Sequence, residues 1–487
     1  MMYYEGIPCS SKGKRVKMST ASRIFKNTSV LALGQIISYV LGFFYIVYIV
    51  RYLGAEKFGM LSFALALSAI VKICIDFGLD SLAVREISRN RSLGRKYLGN
   101  IFAVKLILSI ICILFILLMI SFSSYSVIKS KVIFFIFLSV IIGSFSSTFN
   151  SLFSAYEKME YISVGTIINS ALMLIVAFSV ISRGYDVVIL SLLTCVVSLV
   201  NLLYAFTVCV WKFVIPSLKI DFKFIHSLTT NAWPFFLSAV VDIIAFKIDV
   251  IMLSYMKGDL AVGYYSVAYK FLEVLMFIPS AFVGALFPIF SNFYFSSKES
   301  LKLLYEKSFK YLSIVGLPIA VGTTLLAERI IFFVYKEGFS ESVIILKVLI
   351  WTVPIIFLSY ILGTFIASIN KQVVALKINF LCMLLNIGLN LVLIPKYSSM
   401  GASIATVITS FLSLILCFYY ISRHVCKIQL EDFALKTIIA NLAMGLFILI
   451  FINMNLLLLI AVSIIMYFGV LFVLRVLSKK DYELLIN

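Results

Sequence analysis

Histidine is nearly missing from this sequence, with His226 and His424 the only two in 487 residues. The eight cysteines, Cys9, Cys74, Cys112, Cys195, Cys209, Cys382, Cys417 and Cys426, include no pair at C-x-x-C spacing. A zinc site and a disulfide framework are thereby excluded as organising features, and no metal is expected. Acidic residues are scarce, 22 against 41 lysines and arginines, and charged residues of both signs make up only 13% of the chain. That is too little charge to clothe a water-soluble domain of this size. The apolar stretches show no period-2 alternation, which argues against a β-barrel. The polar and basic beginning of the chain lacks the pattern of a cleavable signal peptide, and translation from Met1 or from Met18 are both compatible with it.

What is present is apolar residue, 62% of the chain, with a mean hydropathy of +1.11. A helix crossing a bilayer needs roughly 20 such residues, and a helix satisfies its own backbone hydrogen bonds there. Spans are expected at Val30–Val50, Met60–Leu79, Ile101–Phe122, Val132–Phe149, Ile162–Ile181, Val187–Val210 and Trp233–Met256. They continue at Gly263–Phe290, Tyr311–Val334, Val343–Ile369, Val373–Pro395, Ala402–Ile421, Thr437–Ile452 and Leu456–Leu474. The fold class is therefore all-α integral membrane, with about fourteen transmembrane helices.

The net charge of +19 is explained by placement and needs no nucleic-acid partner. Lys12, Lys14, Arg15, Lys17, the cluster Arg85, Arg89, Arg91, Arg95 and Lys96, then Lys298, Lys302, Lys307 and Lys310, all fall on one side of the membrane. The other side has far fewer, among them Arg51, Lys57, Lys129, Arg183 and Lys257. The positive-inside rule then puts both termini in the cytoplasm, which requires an even number of spans. The cluster around Arg89 also suits a surface of anionic membrane lipids.

The chain repeats itself. Phe58-Gly59-Met60-Leu61-Ser62-Phe63-Ala64 parallels Val262-Gly263-Tyr264-Tyr265-Ser266-Val267-Ala268, each at the outer start of a span. Two six-helix lobes around a central cavity, plus two C-terminal helices, account for this. The boundaries are a basic tail at 1–29, an amino-terminal lobe at 30–228, a carboxy-terminal lobe at 229–421, and the last two spans with the C-terminus at 422–487. Pro279, Pro288, Pro318, Pro354 and Pro395 all fall in the second lobe, as static kinks or as hinges.

Charges inside spans are costly and should face a cavity or a partner. Arg329, Lys347 and Lys377 lie near span ends, where snorkelling is expected, and Lys105 reads as a cytoplasmic anchor in its first turn. Lys72, Lys247 and Lys270 lie deeper. Lys72 shares a helix face with Asp76, Lys270 shares one with Glu273, and Asp242 and Asp249 form an acidic stripe two turns apart. Mutual neutralisation explains such pairs. A hydrated lumen explains them too, with Lys72, Lys247 and Lys270 as anion-binding candidates and Asp242, Asp249, Glu273 and Asp76 as candidates for a coupling ion or proton. Asp242 stands out among the carboxylates because no cation lies one turn away. Gln35, Asn386 and Asn390 add amides, which either line the lumen or hydrogen-bond neighbouring helices.

Four stretches carry a resemblance: Leu53-Gly54-Ala55-Glu56-Lys57-Phe58-Gly59; Asp76-Phe77-Gly78-Leu79-Asp80 leading to Arg85-Glu86-Ile87; Ala261-Val262-Gly263-Tyr264-Tyr265-Ser266-Val267-Ala268-Tyr269-Lys270; and Ile394-Pro395-Lys396-Tyr397 with Gly401-Ala402-Ser403-Ile404-Ala405-Thr406-Val407. In this order and spacing the chain resembles the Wzx-like oligosaccharide flippase branch of the multidrug/oligosaccharidyl-lipid/polysaccharide exporter superfamily. The resemblance implies two six-helix lobes facing a cationic cavity. It also implies a polyprenyl-pyrophosphate-linked oligosaccharide moved from the cytoplasmic to the outer leaflet by alternating access, for cell-surface polysaccharide synthesis. It implies a plasma-membrane location, no cofactor beyond a coupling Na+ or H+, and polysaccharide-assembly enzymes as partners. A cation-coupled multidrug or metabolite exporter of the same superfamily would share the fold and prefer an acidic or apolar lumen. An uncoupled scramblase fits the sequence as well. A membrane enzyme is disfavoured, because neither histidine sits beside an evident nucleophile.

Overall fold

The computed structural model describes residues 20–217, 219–425 and 431–476. The start of the basic tail, the choice between Met1 and Met18, and Lys427, Lys479 and Lys480 lie outside the described residues. The helices are α1 Thr20–Asp76, α2 Leu79–Arg89, α3 Gly94–Phe122, α4 Val127–Ala155, α5 Met159–Ser182, α6 Val187–Lys212, α7 Phe222–Lys257 and α8 Asp259–Leu275. They continue as α9 Phe277–Ser296, α10 Lys298–Tyr335, α11 Glu341–Leu349, α12 Thr352–Ser368, α13 Gln372–His424, α14 Glu431–Ile450 and α15 Leu456–Val473. No strand occurs among the described residues.

Eleven helical stretches are long and apolar enough to cross a membrane, fewer than the number of spans expected from sequence. The difference has physical causes. The 57-residue α1 and 53-residue α13 are each bent back at a non-helical residue, Gly54 (φ 73°) and Ser398 (φ 51°). Asn390 and Thr406 of α13 bond one and the same carboxylate, yet they would stand about 24 Å apart on a straight helix. Gly401 packs so tightly on the returning leg that a Cβ there would lie 2.4 Å from the Leu393 carbonyl oxygen. Likewise, Gln35 and Lys72 of α1 face one cavity across what would be roughly 55 Å of straight helix. The 36-residue α7 carries Asp242, Lys247 and Asp249 and is not among the eleven.

Two spans break where proline predicts. Pro279 has no N–H for the Leu275 carbonyl, and α8 ends at Leu275. Pro354 stands in the same relation to Ile350, and α11 gives way to α12 there. Pro234, Pro318 and Pro395 are carried inside helices.

Within the first half, α1 packs on α4 and α5, and α4 on α6; within the second, α13 packs on α7 and α12, and α10 on α12. The halves meet where α1 lies against α7 and α8. Helices α14 and α15 pair with each other and dock on α10, burying Met444, Ile448, Leu459 and Tyr467. On α3, Leu106, Ile110, Leu114, Phe115 and Leu118 are exposed, a face suited to lipid acyl chains. Arg329 has protein partners at its span end. It donates to the carbonyl oxygens of Ile452 and Met454 beyond the end of α14.

The sequence repeat has a structural counterpart. Gly54 (φ 73°, ψ 176°) and Gly258 (φ 82°, ψ 178°) hold the same left-handed turn at equivalent places before the two copies. The copies also pack on each other reciprocally. A Cβ on Gly59 would lie 1.8 Å from the Asp259 carbonyl oxygen, and one on Gly263 would lie 1.9 Å from that of Ala55. Only residues without a side chain permit backbones this close. Around this crossing, Lys129 Nζ bonds Asp259 Oδ1 at 2.7 Å and Ser254 Oγ at 2.9 Å, between the rings of Phe63 and Tyr125. Arg51 donates to the Val334 and Phe333 carbonyls at the end of α10. These contacts close one end of the bundle, called here the hairpin end.

Candidate functional site

Away from the hairpin end, α1, α4, α5 and α6 enclose a cavity of about 650 Å³. Its lining is dominated by hydroxyls and amides: Ser139, Ser146, Ser147 and Asn150 of α4, Ser163, Thr166, Asn169 and Ser170 of α5, Ser198 and Asn201 of α6, and Gln35, Ser38 and Tyr39 of α1. Lys72 is the one charged residue among them, and none of the lining residues is acidic. The helical period explains the concentration. Ser139, Gly143, Ser146/Ser147 and Asn150 recur every three or four residues along one face of α4. Gln35 was singled out from sequence; the stripes on α4 and α5 were not, though the same periodicity applied to polar residues inside spans would find them.

The expected pairing of Lys72 with Asp76 does not form. Lys72 is exposed to the cavity and makes no ion pair among the described residues. Asp76 is instead held by Lys105 of α3, Nζ to Oδ1 at 2.9 Å. The same ammonium reaches Asp80 Oδ1 at 2.8 Å and the Ser144 carbonyl at 3.0 Å. Lys105 is 0% exposed, so it is a buried clamp and no interface anchor. The helix packing made the difference: α3 and α4 turn Lys105 inward, toward the elbow between α1 and α2. That elbow is built by Phe77 (φ 49°) and Gly78 (φ 74°). Phe77 stacks on Phe236 of α7 at 4.5 Å, and Gly78 lies so close that a Cβ would meet the Ala232 carbonyl oxygen at 2.7 Å. Ser147 donates to Asp80 Oδ2 at 2.6 Å, linking the clamp to the cavity wall.

In the second half, Lys247 and Lys270 converge on one carboxylate. Lys247 Nζ lies 2.9 Å from Glu273 Oε1, and Lys270 Nζ bonds Oε2. The i,i+3 pairing of Lys270 with Glu273 was legible in sequence; the arrival of Lys247 from α7 was not. The triad borders a small cavity of about 110 Å³ beneath the hairpin end.

The two aspartates of α7 part company. Asp242 is exposed, with Asn379 Nδ2 at 3.4 Å. Asp249 is 3% exposed and accepts from Tyr265 Oη (2.9 Å), Asn390 Nδ2 (2.6 Å) and Thr406 Oγ1 (2.7 Å). Asn390 Nδ2 also reaches Asn386 Oδ1 at 3.0 Å, and Asn386 meets Thr409 at 3.4 Å. Asn390 Oδ1 is buried with no hydrogen-bond partner. No cation enters this cluster among the described residues. The isolated acid singled out from sequence was Asp242, whereas the enclosed one is Asp249.

Comparison with known proteins agrees with this architecture. Residues 24–294, more than half of the chain, match the family described as "Polysaccharide biosynthesis protein", and residues 234–392 match the family described as "MatE". A "Putative O-antigen transporter" of Escherichia coli (strain K12) is 23% identical over 81% of this chain and 96% of its own length. A "Probable low-salt glycan biosynthesis flippase Agl15" of Haloferax volcanii is 23% identical over 79% of this chain and 80% of its own. Among solved structures, "Lipid II flippase MurJ, inward closed conformation" superposes with a TM-score of 0.71 at 17% identity, covering 94% of this chain and 99% of that one. An inward-facing multidrug resistance MATE family transporter gives 0.65 at 16% identity, covering 80% and 94%. The chain thus belongs to the polysaccharide biosynthesis protein family, as a multi-pass, Wzx-like polysaccharide transporter of the multidrug/oligosaccharidyl-lipid/polysaccharide exporter superfamily.

Proposed function

We propose that this protein flips a polyprenyl-pyrophosphate-linked oligosaccharide from the cytoplasmic to the outer leaflet of the plasma membrane, by alternating access, with both termini in the cytoplasm. The observation that carries this reading is the cavity lining: many neutral hydroxyls and amides, one free lysine and no carboxylate. Hydroxyl and amide groups match the hydrogen-bonding edges of sugars, and a lysine in a partly dry cavity favours an anionic phosphate. The volume is that of a small-molecule site, enough for part of an oligosaccharide head group. The tight hairpin end and the elbow on α7 supply two ends that can open in turn. Lys72 is the substrate contact of the first half; Lys247 and Lys270 are those of the second. Polysaccharide-assembly enzymes are the expected partners on either side of this step.

Transport is coupled, in this reading, through Asp249. Hard monovalent cations take oxygen ligands, and one carboxylate among neutral oxygens offers such a set. Asp249, Asn386, Asn390 and Thr406 would hold the ion, and the unpartnered Asn390 Oδ1 is the observation that fits it. Asp76 and Glu273 are already bound by lysines and are weaker candidates than the sequence alone suggests. A drug exporter reading draws on the MatE match and the exposed Asp242, but the first cavity offers cationic drugs no counter-charge.

The test is reconstitution in liposomes with a fluorescent polyprenyl-pyrophosphate oligosaccharide, scored for movement between leaflets. Protein-dependent movement supports the reading; its absence across several head groups and under imposed sodium or proton gradients refutes it. Asp249→Asn is expected to abolish the response to whichever gradient drives the wild type, and a retained response would remove Asp249 from coupling.

A further inference from the structure

Lys247, Lys270 and Glu273 form an ion cluster unlike the buried ones at Lys105 and Lys129. Lys105 and Lys129 are sealed in their ion pairs, with side-chain exposures of 0% and 8%. Lys247, Lys270 and Glu273 are 26%, 27% and 28% exposed, bordering the cavity beneath the hairpin end. The stoichiometry also differs. Here two ammoniums share one carboxylate, one on each oxygen, which leaves a net positive charge. Across the cavity stand Tyr45, Ile46, Ile49, Leu61 and Leu65, a wall with no charge to offer either lysine.

We propose that Glu273 is an internal stand-in for the substrate's pyrophosphate. It holds Lys247 and Lys270 in the substrate-free protein and is displaced when the phosphate oxygens take its place. This deepens the flippase reading and rests on it. Two lysines left facing an apolar wall would be uncompensated charges in a poorly hydrated site, so the empty transporter needs an anion there. A carboxylate bridging two ammoniums through separate oxygens reproduces what phosphate oxygens would do. Glu273 can yield, because it sits near the end of α8, just before the break that Pro279 imposes. Its displacement disturbs only the last turn of a helix that has already ended.

The arrangement also selects. An incoming anion must outcompete a carboxylate that is tethered in place. A monophosphate offers only a modest gain in charge over Glu273, whereas a pyrophosphate brings more charge and more oxygens to the same two lysines. Glu273 therefore raises the threshold for binding and favours pyrophosphate-linked over monophosphate-linked carriers, a form of discrimination by competition.

The experiment measures binding of inorganic pyrophosphate and of orthophosphate to the purified full-length protein, beside flipping in liposomes. Wild type is expected to prefer pyrophosphate. Glu273→Gln is expected to bind both anions about tenfold more tightly, to narrow the preference, and to flip more slowly because release is hindered. Glu273→Asp, which keeps the charge but shortens the reach, is expected to shift binding the same way by a smaller factor; it carries the test if the glutamine variant does not fold. Asp242→Asn removes the same charge from an exposed position on α7 that touches neither lysine, and is expected to change binding less than twofold. Unchanged or weaker pyrophosphate binding in both Glu273 variants overturns the proposal. So does an equal gain in Asp242→Asn, which would reduce the effect to the overall field. If wild type flips the lipid-linked sugar while the Glu273 variants bind as wild type does, this proposal falls and the flippase reading stands. If wild type neither flips nor binds pyrophosphate, both fall.

Discussion

In the first half of the chain one lysine, Lys105, serves two carboxylates, Asp76 and Asp80; in the second half two lysines, Lys247 and Lys270, serve one, Glu273. What each half leaves unpaired is therefore opposite. The first half presents a free cation, Lys72, to a neutral polar cavity, while the second encloses an acid, Asp249, among neutral donors. The difference teaches that two halves related by a repeat can balance their buried charge in opposite ways, one around a cation and the other around a carboxylate. It also separates enclosed charge from accessible charge. The lysines of the Lys105 and Lys129 clusters are enclosed by the fold, whereas Lys247, Lys270 and Glu273 border a cavity.

The comparison breaks most visibly at Lys105. Lys105→Met leaves two carboxylates in a site built around an ammonium, and losing one partner of a buried ion pair costs about 3–5 kcal/mol. The expected result is a sharply lower melting temperature in detergent and poor yield, partly restored by adding Asp80→Asn. A variant that melts like wild type would show that the clamp is not structural. Lys72→Ala should do the converse. A hydrogen bond to a charged group is worth about 1.5–3 kcal/mol, so flipping should fall roughly ten- to a hundredfold with the melting temperature unchanged. Unimpaired flipping would take Lys72 out of the cavity's function.

The hairpin end tests the repeat. Gly263→Ala places a Cβ 1.9 Å from the Ala55 carbonyl oxygen, and backbone on both sides leaves little to yield. Overpacking of this kind costs about 1–3 kcal/mol, charged only to the state in which the end is closed. The variant should favour the open end, read as faster labelling of a Ser266→Cys probe by a thiol reagent added from the side of the hairpin end. Gly59→Ala should act alike, because the crossing is reciprocal. A labelling rate equal to that of the parent in both would mean that this end does not move.

Much of the architecture was legible because membrane physics writes it in long runs: the apolar stretches, the glycine-bearing repeat, and the prolines that break α8 and α11. Of the two pairings expected within one helix, Lys270 with Glu273 forms, whereas Lys72 with Asp76 does not, because Lys105 reaches Asp76 from α3. What one helix turns toward another was not. Lys105 looked like an interface anchor because its position near the start of a span is visible in sequence, whereas the inward rotation of α3 is not. Lys129 looked like an outer-loop cation and is buried against Asp259, a residue of the other repeat. The enclosure of Asp249 was illegible for the same reason, since Tyr265, Asn390 and Thr406 reach it from two other helices. The polar stripe of α4 stands at helical spacing in the sequence, but a hydroxyl inside a span costs far less than a charge and so marks a lumen less plainly.

The smallest effect belongs to a pair outside the cavities. Asp186, at the N-cap of α6, accepts from Lys57 at 2.8 Å and from its neighbour's backbone N–H at Val187. The Lys57 ammonium is the main cause that holds the Asp186 carboxyl below the usual carboxylate range. A carboxyl with a depressed folded-state pKa stabilises the protein above its unfolded pKa of about 3.9, and the contribution is lost as pH falls through the folded value. Lys57 and Asp186 are 48% and 39% exposed, so solvent screens the pair and less than about 1 kcal/mol is expected at neutral pH. Asp186→Asn keeps an N-cap oxygen, so the cap survives and only the charge is removed. Its melting temperature should fall slightly at pH 7, converge with wild type as pH falls through the depressed folded value, and lose the difference in high salt. A gap as large as that of Lys105→Met, or one insensitive to salt, would mean that the hairpin end is held by charge as tightly as the buried clamp, and the division between enclosed and accessible charge would have to be redrawn.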